Sequence, residues 1–139
     1  MPEPLLLDTH CWVWMQFGLI DRFTREARTA IDRAVRDNRL FVSVISVWEI
    51  GLLESKGRLA LFIEYERWIK EALATPGLHL APLSPSVAIL STRLPGEFHG
   101  DPADRFLVAT AIIEGARLLT KDRQILQYGR KNHVNVLSA

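Results

Sequence analysis

Five carboxylates lie where predicted strands end or predicted helices begin, and these are the residues best suited to chemistry: Asp8, Glu49, Asp101, Asp104 and Asp122. Acids gathered at one edge of a sheet repel one another unless a cation lies between them. Mg²⁺ or Mn²⁺ is the natural cation, because both are hard ions that prefer carboxylate and water oxygens. The single cysteine and four scattered histidines form no zinc-binding spacing. The acids therefore predict a divalent metal site.

Each acid also has a structural explanation. Asp8, Asp101 and Asp122 precede predicted helices and can cap them, and Ser46 with Glu49 fits a capping box. An acid at a helix N-terminus gains roughly 0.3–1 kcal/mol from the helix dipole. Capping therefore accounts for each acid taken singly, whereas the convergence of all five is what favours a metal site. The apolar neighbours of Glu49 further predict that its side chain is partly buried.

The elements that position these acids follow from apolar runs and helical spacing. Predicted strands cover residues 5–7, 40–44, 79–83, 116–120 and 134–137. Predicted helices begin at residue 11 and then cover residues 24–35, 46–55, 62–73, 85–94 and 105–114, with a short one after Asp122. Strands that alternate with helices and are apolar throughout predict an α/β domain with a mostly parallel sheet covered on both faces. Sites in such sheets lie beyond the carboxyl ends of the strands.

The composition sets broad limits on the kind of protein. A chain of 139 residues that is 48% hydrophobic, with 17 basic and 16 acidic residues, predicts one compact domain with no bulk attraction for nucleic acid. The single Cys11 cannot form an intramolecular disulfide, and residues 1–4 lack the features of a signal peptide. The longest apolar run, residues 106–113, is too short to cross a membrane. We therefore expect a cytoplasmic protein without a membrane partner.

Four acidic segments together carry a family resemblance: residues 6–10 (LLDTH), 46–50 (SVWEI), 101–109 (DPADRFLVA) and 118–122 (LLTKD). Their order and separations resemble those of the PIN-domain ribonucleases. Within that family, the chain is most similar to the small VapC-type toxins of toxin–antitoxin pairs. The resemblance extends from residue 5 to the last predicted strand.

The resemblance implies that residues 1–139 form a single PIN domain, a three-layer α/β/α sandwich around a central mostly parallel sheet. It implies a Mg²⁺-dependent endoribonuclease, with Mn²⁺ as a substitute, that acts as the toxin of a type II pair. Its partners would be an RNA substrate, a cognate antitoxin and a second copy of the chain. The acidic set would be Asp8, Glu49, Asp104 and Asp122, with Asp101 as an additional acid.

Within this set, our hypothesis is that Asp8, Asp104 and Asp122 hold the metal ion while Glu49 orients or deprotonates the attacking water. Thr9 and Thr120 adjoin the acids, so their hydroxyls are candidates to support the metal ligands or to serve as ordinary cap and turn groups.

Basic residues near the last two acids are candidates for contact with RNA: Arg105, Arg117, Lys121 and Arg123. Residues 117–131 hold five positive charges against Asp122 alone, and phosphates require such neighbours beside an acidic site. The alternative is an ordinary solvated surface. The six arginines of residues 22–39 alternate with acids at helical spacing, which predicts a salt-bridged surface.

The aromatic side chains of the chain are most simply core residues: Trp12, Trp14, Trp48, Trp68, Phe62 and Tyr65. A surface that binds the antitoxin or a second copy is the alternative for Trp14 and for residues 62–68.

Two other enzyme classes fit the acids less well. Haloacid-dehalogenase-type phosphatases need a second aspartate two residues after the first, where this chain has His10, and receiver domains need an acceptor aspartate that Ser55-Lys56-Gly57 does not supply. A PIN-like module that binds RNA or a protein without cutting is the stronger alternative. The presence of all four acids argues against it.

Overall fold

The computed structural model describes residues 2–139 and contains a sheet of five parallel strands in the order β3-β2-β1-β4-β5. The strands are β1 (Leu5–Leu7), β2 (Leu40–Ser43), β3 (Leu78–Ala81), β4 (Arg117–Thr120) and β5 (Val136–Ser138). The helices are α1 (Thr9–Gln16), α2 (Arg25–Arg36), α3 (Val44–Ser55), α4 (Tyr65–Leu73), α5 (Pro85–Ser91), α6 (Pro102–Glu114) and α7 (Arg123–Arg130), with one 3₁₀ turn at Ile20–Arg22.

Alternating side chains of the central strands build a core on each face of the sheet. Leu5 and Leu7 pack with residues of α1, α2 and α4, whereas Leu6 packs with residues of α5, α6 and α7. Both cores are fully buried at these strands, which explains the unbroken apolar run of β1. The predicted three-layer α/β/α sandwich is confirmed, and the sheet in the structure is parallel throughout.

The order of the strands places a crevice at the carboxyl ends of β1 and β4. From β1 the chain builds outward through β2 and β3 on one side and then returns to add β4 and β5 on the other. Leu7 pairs with Leu119, so Asp8 and Thr120 follow at adjacent strand ends. Reversal of strand order at this point separates the two crossovers and opens a binding crevice between them.

Four predicted helix starts are wrong: α1 and α4 begin at Thr9 and Tyr65 and not at residues 11 and 62, and α3 and α6 both begin earlier than predicted. Ser43, and not Ser46, caps α3 by accepting a hydrogen bond from the backbone N–H of Ile45 at 3.0 Å, so β2 is shorter than predicted and α3 begins earlier. Helix α6 begins at Pro102 because Asp101 caps it, three residues before the predicted start. In both cases the apolar pattern located the element, but the side chain that caps the helix determined its first residue.

Several surface predictions are also wrong. Trp12 and Trp68 are core residues as expected, but Trp48 is 54% exposed and Phe62, which lies before α4 begins, is 90% exposed. In the described part of the chain, Arg39 is the only arginine of residues 22–39 in an ion pair, with Asp37 at 3.3 Å, so the predicted salt-bridged surface does not form. Within residues 2–139, no helix is both long and apolar enough to cross a membrane.

Candidate active site

Asp8 is the buried acid at the end of β1, with 7% of its surface exposed. One carboxylate oxygen, Oδ1, caps α1 by accepting from the backbone N–H of Cys11 at 2.8 Å. The other, Oδ2, accepts from the hydroxyl of Thr120 at 2.5 Å, and that hydroxyl accepts from the backbone N–H of Asp122 at 3.0 Å. Thr120 therefore joins the carboxyl ends of β1 and β4 and fixes the orientation of Asp8.

Asp101 and Asp122 cap the two other helices that begin at the crevice. Oδ1 of Asp122 accepts from the backbone N–H of Ile125 at 3.0 Å, and Oδ1 of Asp101 accepts from the backbone N–H of Asp104 at 2.9 Å. The capping interpretation of Asp8, Asp101 and Asp122 is thus confirmed. It does not replace the metal hypothesis, because the caps of Asp101 and Asp122 each use one carboxylate oxygen.

Glu49 lies in the second turn of α3 and is half-buried, as its apolar neighbours predict. Burial raises the pKa of its carboxyl group, and the negative charges of Asp101 and Asp8 act in the same direction, while Thr9 and His10 oppose the rise. The capping box predicted for Ser46 and Glu49 does not form. Ser46 is instead buried inside α3, where it accepts a hydrogen bond from the hydroxyl of Thr9 at 2.8 Å.

The pKa of Asp104 is raised by burial and by the charges of the other four acids. Burial raises its pKa from 3.8 to about 7, and the next causes in order are the negative charges of Asp101, Asp122, Glu49 and Asp8. The four other acids therefore add to the effect of burial, and each opposes the ionisation of Asp104. All five acids line one cleft of about 320 Å³, together with Thr9, His10, Trp14, Leu107 and Lys121.

A divalent cation fits the chemistry of this cleft, although no preformed cage is present. Over residues 2–139, no three His, Cys, Asp or Glu side chains are close enough together to hold one ion jointly. Mg²⁺, however, usually keeps several waters and is held by only one or two carboxylates directly. A cation placed among these acids would also offset the repulsion that raises the pKa of Asp104. The donor set therefore suits Mg²⁺ or Mn²⁺.

Of the four basic residues proposed to contact RNA, Lys121 lies at the cleft and Arg123 is exposed nearby. Lys121 Nζ is 5.1 Å from the centroid of the Trp14 ring, and Arg22 approaches the same ring at 5.6 Å. Arg123 is exposed at the first position of α7, directly after Asp122. Trp14, expected in the core or at a partner surface, thus lines the cleft, and no sequence signal distinguished this position from a core position.

Neither Arg105 nor Arg117 lines the cleft. The Arg105 guanidinium donates to the carbonyl oxygens of Ser91 at 2.8 Å and Phe98 at 2.7 Å, so it joins the end of α5 and the segment after it to α6. Arg117 begins β4, at the end of the strand opposite the cleft, and pairs with Glu26 at 3.5 Å. Arg117 and Thr120 are the first and last residues of β4, so the full length of the strand separates Arg117 from the acids.

The chain is similar to known proteins over most of its length. Residues 5–131 match the PIN domain family. Over 132 residues the chain is 35% identical to Ribonuclease VapC22 of Mycobacterium tuberculosis. This match covers 95% of this chain and 97% of that protein. The fold resembles that of VapBC2 from Rickettsia felis bound to a promoter DNA fragment (TM-score 0.68, 16% identity, 96% of this chain and 97% of that chain). It also resembles DNA-bound VapBC from Salmonella typhimurium (TM-score 0.67, 15% identity, 99% and 98%).

Proposed function

Since the chain belongs to the PIN-domain family and is a VapC-type member of it, we propose that it is an Mg²⁺-dependent endoribonuclease that hydrolyses RNA phosphodiester bonds. The observation that carries this proposal is the convergence of five carboxylates on one cleft at the carboxyl ends of β1 and β4. Burial raises the pKa of Asp104 and the negative charges of the other four acids raise it further, so a cation in the cleft would stabilise the ionised acids.

Asp8, Asp104 and Asp122 are the residues that would hold the ion, one or two of them directly and the others through coordinated water, with Mn²⁺ as a substitute for Mg²⁺. When bound, the metal lowers the pKa of a coordinated water and neutralises charge that develops on the phosphate. Asp8 is suited to its role because Thr120 and the N-terminus of α1 hold its carboxylate in one orientation. Asp101, the additional acid, caps α6 and so positions the first turn that carries Asp104.

Glu49 is the residue placed to orient the attacking water and accept its proton. A carboxylate with a raised pKa is a better base than an exposed one, and burial raises the pKa of Glu49. Attack of the water oxygen on phosphorus breaks the bond to the 3′ oxygen, which takes up a proton from solvent. The products are a 5′-phosphate and a 3′-hydroxyl.

Lys121 and Arg123 supply positive charge for the RNA backbone beside the acids. The ring of Trp14 lies beneath the Lys121 ammonium group, which keeps that charge at the rim of the cleft. Arg123 extends the positive rim along the start of α7. Two cations at the rim are needed because the acids of the cleft alone repel phosphate.

The cellular role that we propose is that of the toxin of a type II toxin–antitoxin pair, acting in the cytoplasm and held inactive by a cognate antitoxin. The support is the 35% identity to a VapC ribonuclease, together with the similarity in fold to chains of VapBC complexes. The exposed Phe62, which packs against Phe17 at 6.1 Å between ring centroids, is a candidate for contact with a partner. A homodimer is part of the same proposal.

The direct test is cleavage of RNA by the purified protein in Mg²⁺ and in EDTA. We expect cleavage in Mg²⁺, cleavage in Mn²⁺ and none in EDTA, because the acids require a cation to approach phosphate. End-labelling of the products should find a 5′-phosphate and a 3′-hydroxyl. A 2′,3′-cyclic phosphate, or equal cleavage in EDTA, would contradict the proposal.

A domain that binds RNA or a protein without cutting is the second candidate. The absence of a ready-made group of three ligands within residues 2–139 is the observation that favours it. The two candidates differ in their need for a metal ion, because a silent module has no requirement to bind one.

A further inference from the structure

A second cleft, of about 240 Å³, lies beside the acidic cleft, and two residues line both. Glu49 and Asp101 line both clefts. The second cleft lies between one face of α3 and the first residues of α6, Pro102 and Ala103. A ligand that reaches the acids can therefore continue into this second cleft without leaving the surface.

The α3 side of this cleft is an apolar strip that ends in positive charge. Trp48, Leu52 and Lys56 recur every four residues, and Leu53 lies beside them, so they share one face of the helix. Lys56 directly follows the last residue of α3, and Arg58 lies two residues further along at the outer end of the cleft. In the described part of the chain neither cation has an ion-pair partner within 4.0 Å.

Trp48 is unusual among the four tryptophans because 54% of its surface is exposed. Trp12 is fully buried and Trp68 nearly so, whereas Trp14 is covered by two cations. An indole ring that lies open in a cleft beside a phosphate-binding site offers a flat face on which a nucleobase can stack.

We propose that this cleft binds the RNA nucleotide next to the scissile phosphate, with its base stacked on Trp48 and its neighbouring phosphates paired with Lys56 and Arg58. The inference rests on the proposed ribonuclease function and extends it to a base-binding subsite. Stacking on an aromatic ring tolerates any base but favours those that stack well, so Trp48 would contribute to the choice of cut site.

RNA fits this cleft better than a protein segment does, because of its charge and its continuity with the acids. Free Lys56 and Arg58 at one end and the opening to the acidic cleft at the other match a chain of phosphates that runs from the proposed reacting centre outward. An apolar peptide would cover Trp48 and Leu52 but would leave both cations without a partner.

The test measures binding of a fluorescein-labelled single-stranded oligoribonucleotide by anisotropy in Mg²⁺ and at low salt, with Asp104→Asn introduced into every protein, the reference protein included, so that the RNA is bound but not cut. Trp48→Ala is expected to weaken binding by roughly 10- to 100-fold, the range that loss of one base–aromatic stack produces. Trp48→Phe should bind within a few-fold of the reference protein, and Trp48→Leu should resemble Trp48→Ala. Ile89→Ala, a change at an apolar residue of α5 that is 60% exposed, should bind as the reference protein does.

Circular dichroism checks that each variant is folded, and sedimentation checks its oligomeric state. Equal binding by Trp48→Ala and the reference protein overturns the subsite, as does full binding by Trp48→Leu, which would indicate simple apolar docking. A change from dimer to monomer in Trp48→Ala without loss of RNA binding would assign the cleft to a second copy of the chain. These readouts do not depend on cleavage: binding by the reference protein with no cleavage by wild type contradicts the proposed function alone.

Discussion

Replacement of Asp104 by asparagine is expected to slow Mg²⁺-dependent RNA cleavage by at least about 100-fold, because loss of a metal ligand removes several kcal/mol of transition-state stabilisation. The change retains the size of the side chain, and the backbone N–H that Asp101 caps is untouched. Fold and stability should therefore survive. The measurement is the initial rate of cleavage of one RNA at saturating Mg²⁺.

Asp8→Asn is expected to lose as much activity and, in contrast to Asp104→Asn, to lose stability as well. Both oxygens of Asp8 accept hydrogen bonds, one from the Cys11 N–H and the other from the Thr120 hydroxyl. Asparagine replaces one of these oxygens with an NH₂ group, which cannot accept, so one of the two bonds is lost. Loss of one such buried bond costs about 1–3 kcal/mol. Asp32→Asn, a change on the exposed surface of α2, is the matched control and should keep full activity. Undiminished cleavage by both Asp8→Asn and Asp104→Asn would remove these acids from the catalytic set.

Raising the pH from 4 to 8 is expected to lower the stability contributed by Asp104 in the metal-free protein. In the unfolded chain this carboxyl ionises at its ordinary pKa of 3.8, whereas in the folded protein its pKa is about 7. The folded state therefore retains a proton that the unfolded state releases, so this contribution is complete below pH 3.8 and is lost as the pH rises through 7. The raised pKa of Glu49 acts in the same direction.

The expected loss is about 1–3 kcal/mol, less than the full shift would give, because Asp104 is partly exposed to solvent. Urea unfolding at a series of pH values in EDTA measures it. Asp104→Asn should be the more stable protein at pH 8 and should show a flatter pH profile than wild type. Parallel profiles for the two proteins would show that Asp104 is not held in a repulsive cluster.

Addition of Mg²⁺ should reverse this trend, because a cation stabilises the ionised acids and binds only the folded cleft. The gain in melting temperature is expected to be larger at pH 8 than at pH 5, where Asp104 holds its proton. Asp104→Asn should lose most of this gain.

The positions of Asp8, Asp101 and Asp122 could be predicted because each follows from a local rule. The unbroken apolar run of β1 predicted a strand buried on both faces, so Asp8 had to lie at its carboxyl end. Asp101 and Asp122 occupy helix caps, which short-range sequence identifies well. Parallel pairing of β1 with β4 then brought the acids together.

The surroundings of the arginines and of Trp48 could not be predicted, because they depend on contacts between elements that are distant in the sequence. Arg117 and Lys121 are four residues apart, yet β4 separates them so that only Lys121 reaches the cleft. The helical position of Arg105 did not indicate that its guanidinium would donate to the carbonyl groups of Ser91, at the end of α5, and of Phe98, in the segment that follows. Tryptophan is a residue type that usually lies in a core, so sequence alone predicts that Trp48 is buried. Its exposure follows from the tertiary packing around α3, which local sequence does not determine.

Calorimetric titration of Mg²⁺ into the metal-free protein at pH 8 tests most directly whether the five acids form a metal-dependent catalytic site. We predict saturable binding to wild type, and no binding to the Asp8→Asn/Asp104→Asn double variant that circular dichroism shows to be folded. Wild-type protein that binds no Mg²⁺, or a double variant that binds it equally, would contradict the account and favour a module that binds without cutting.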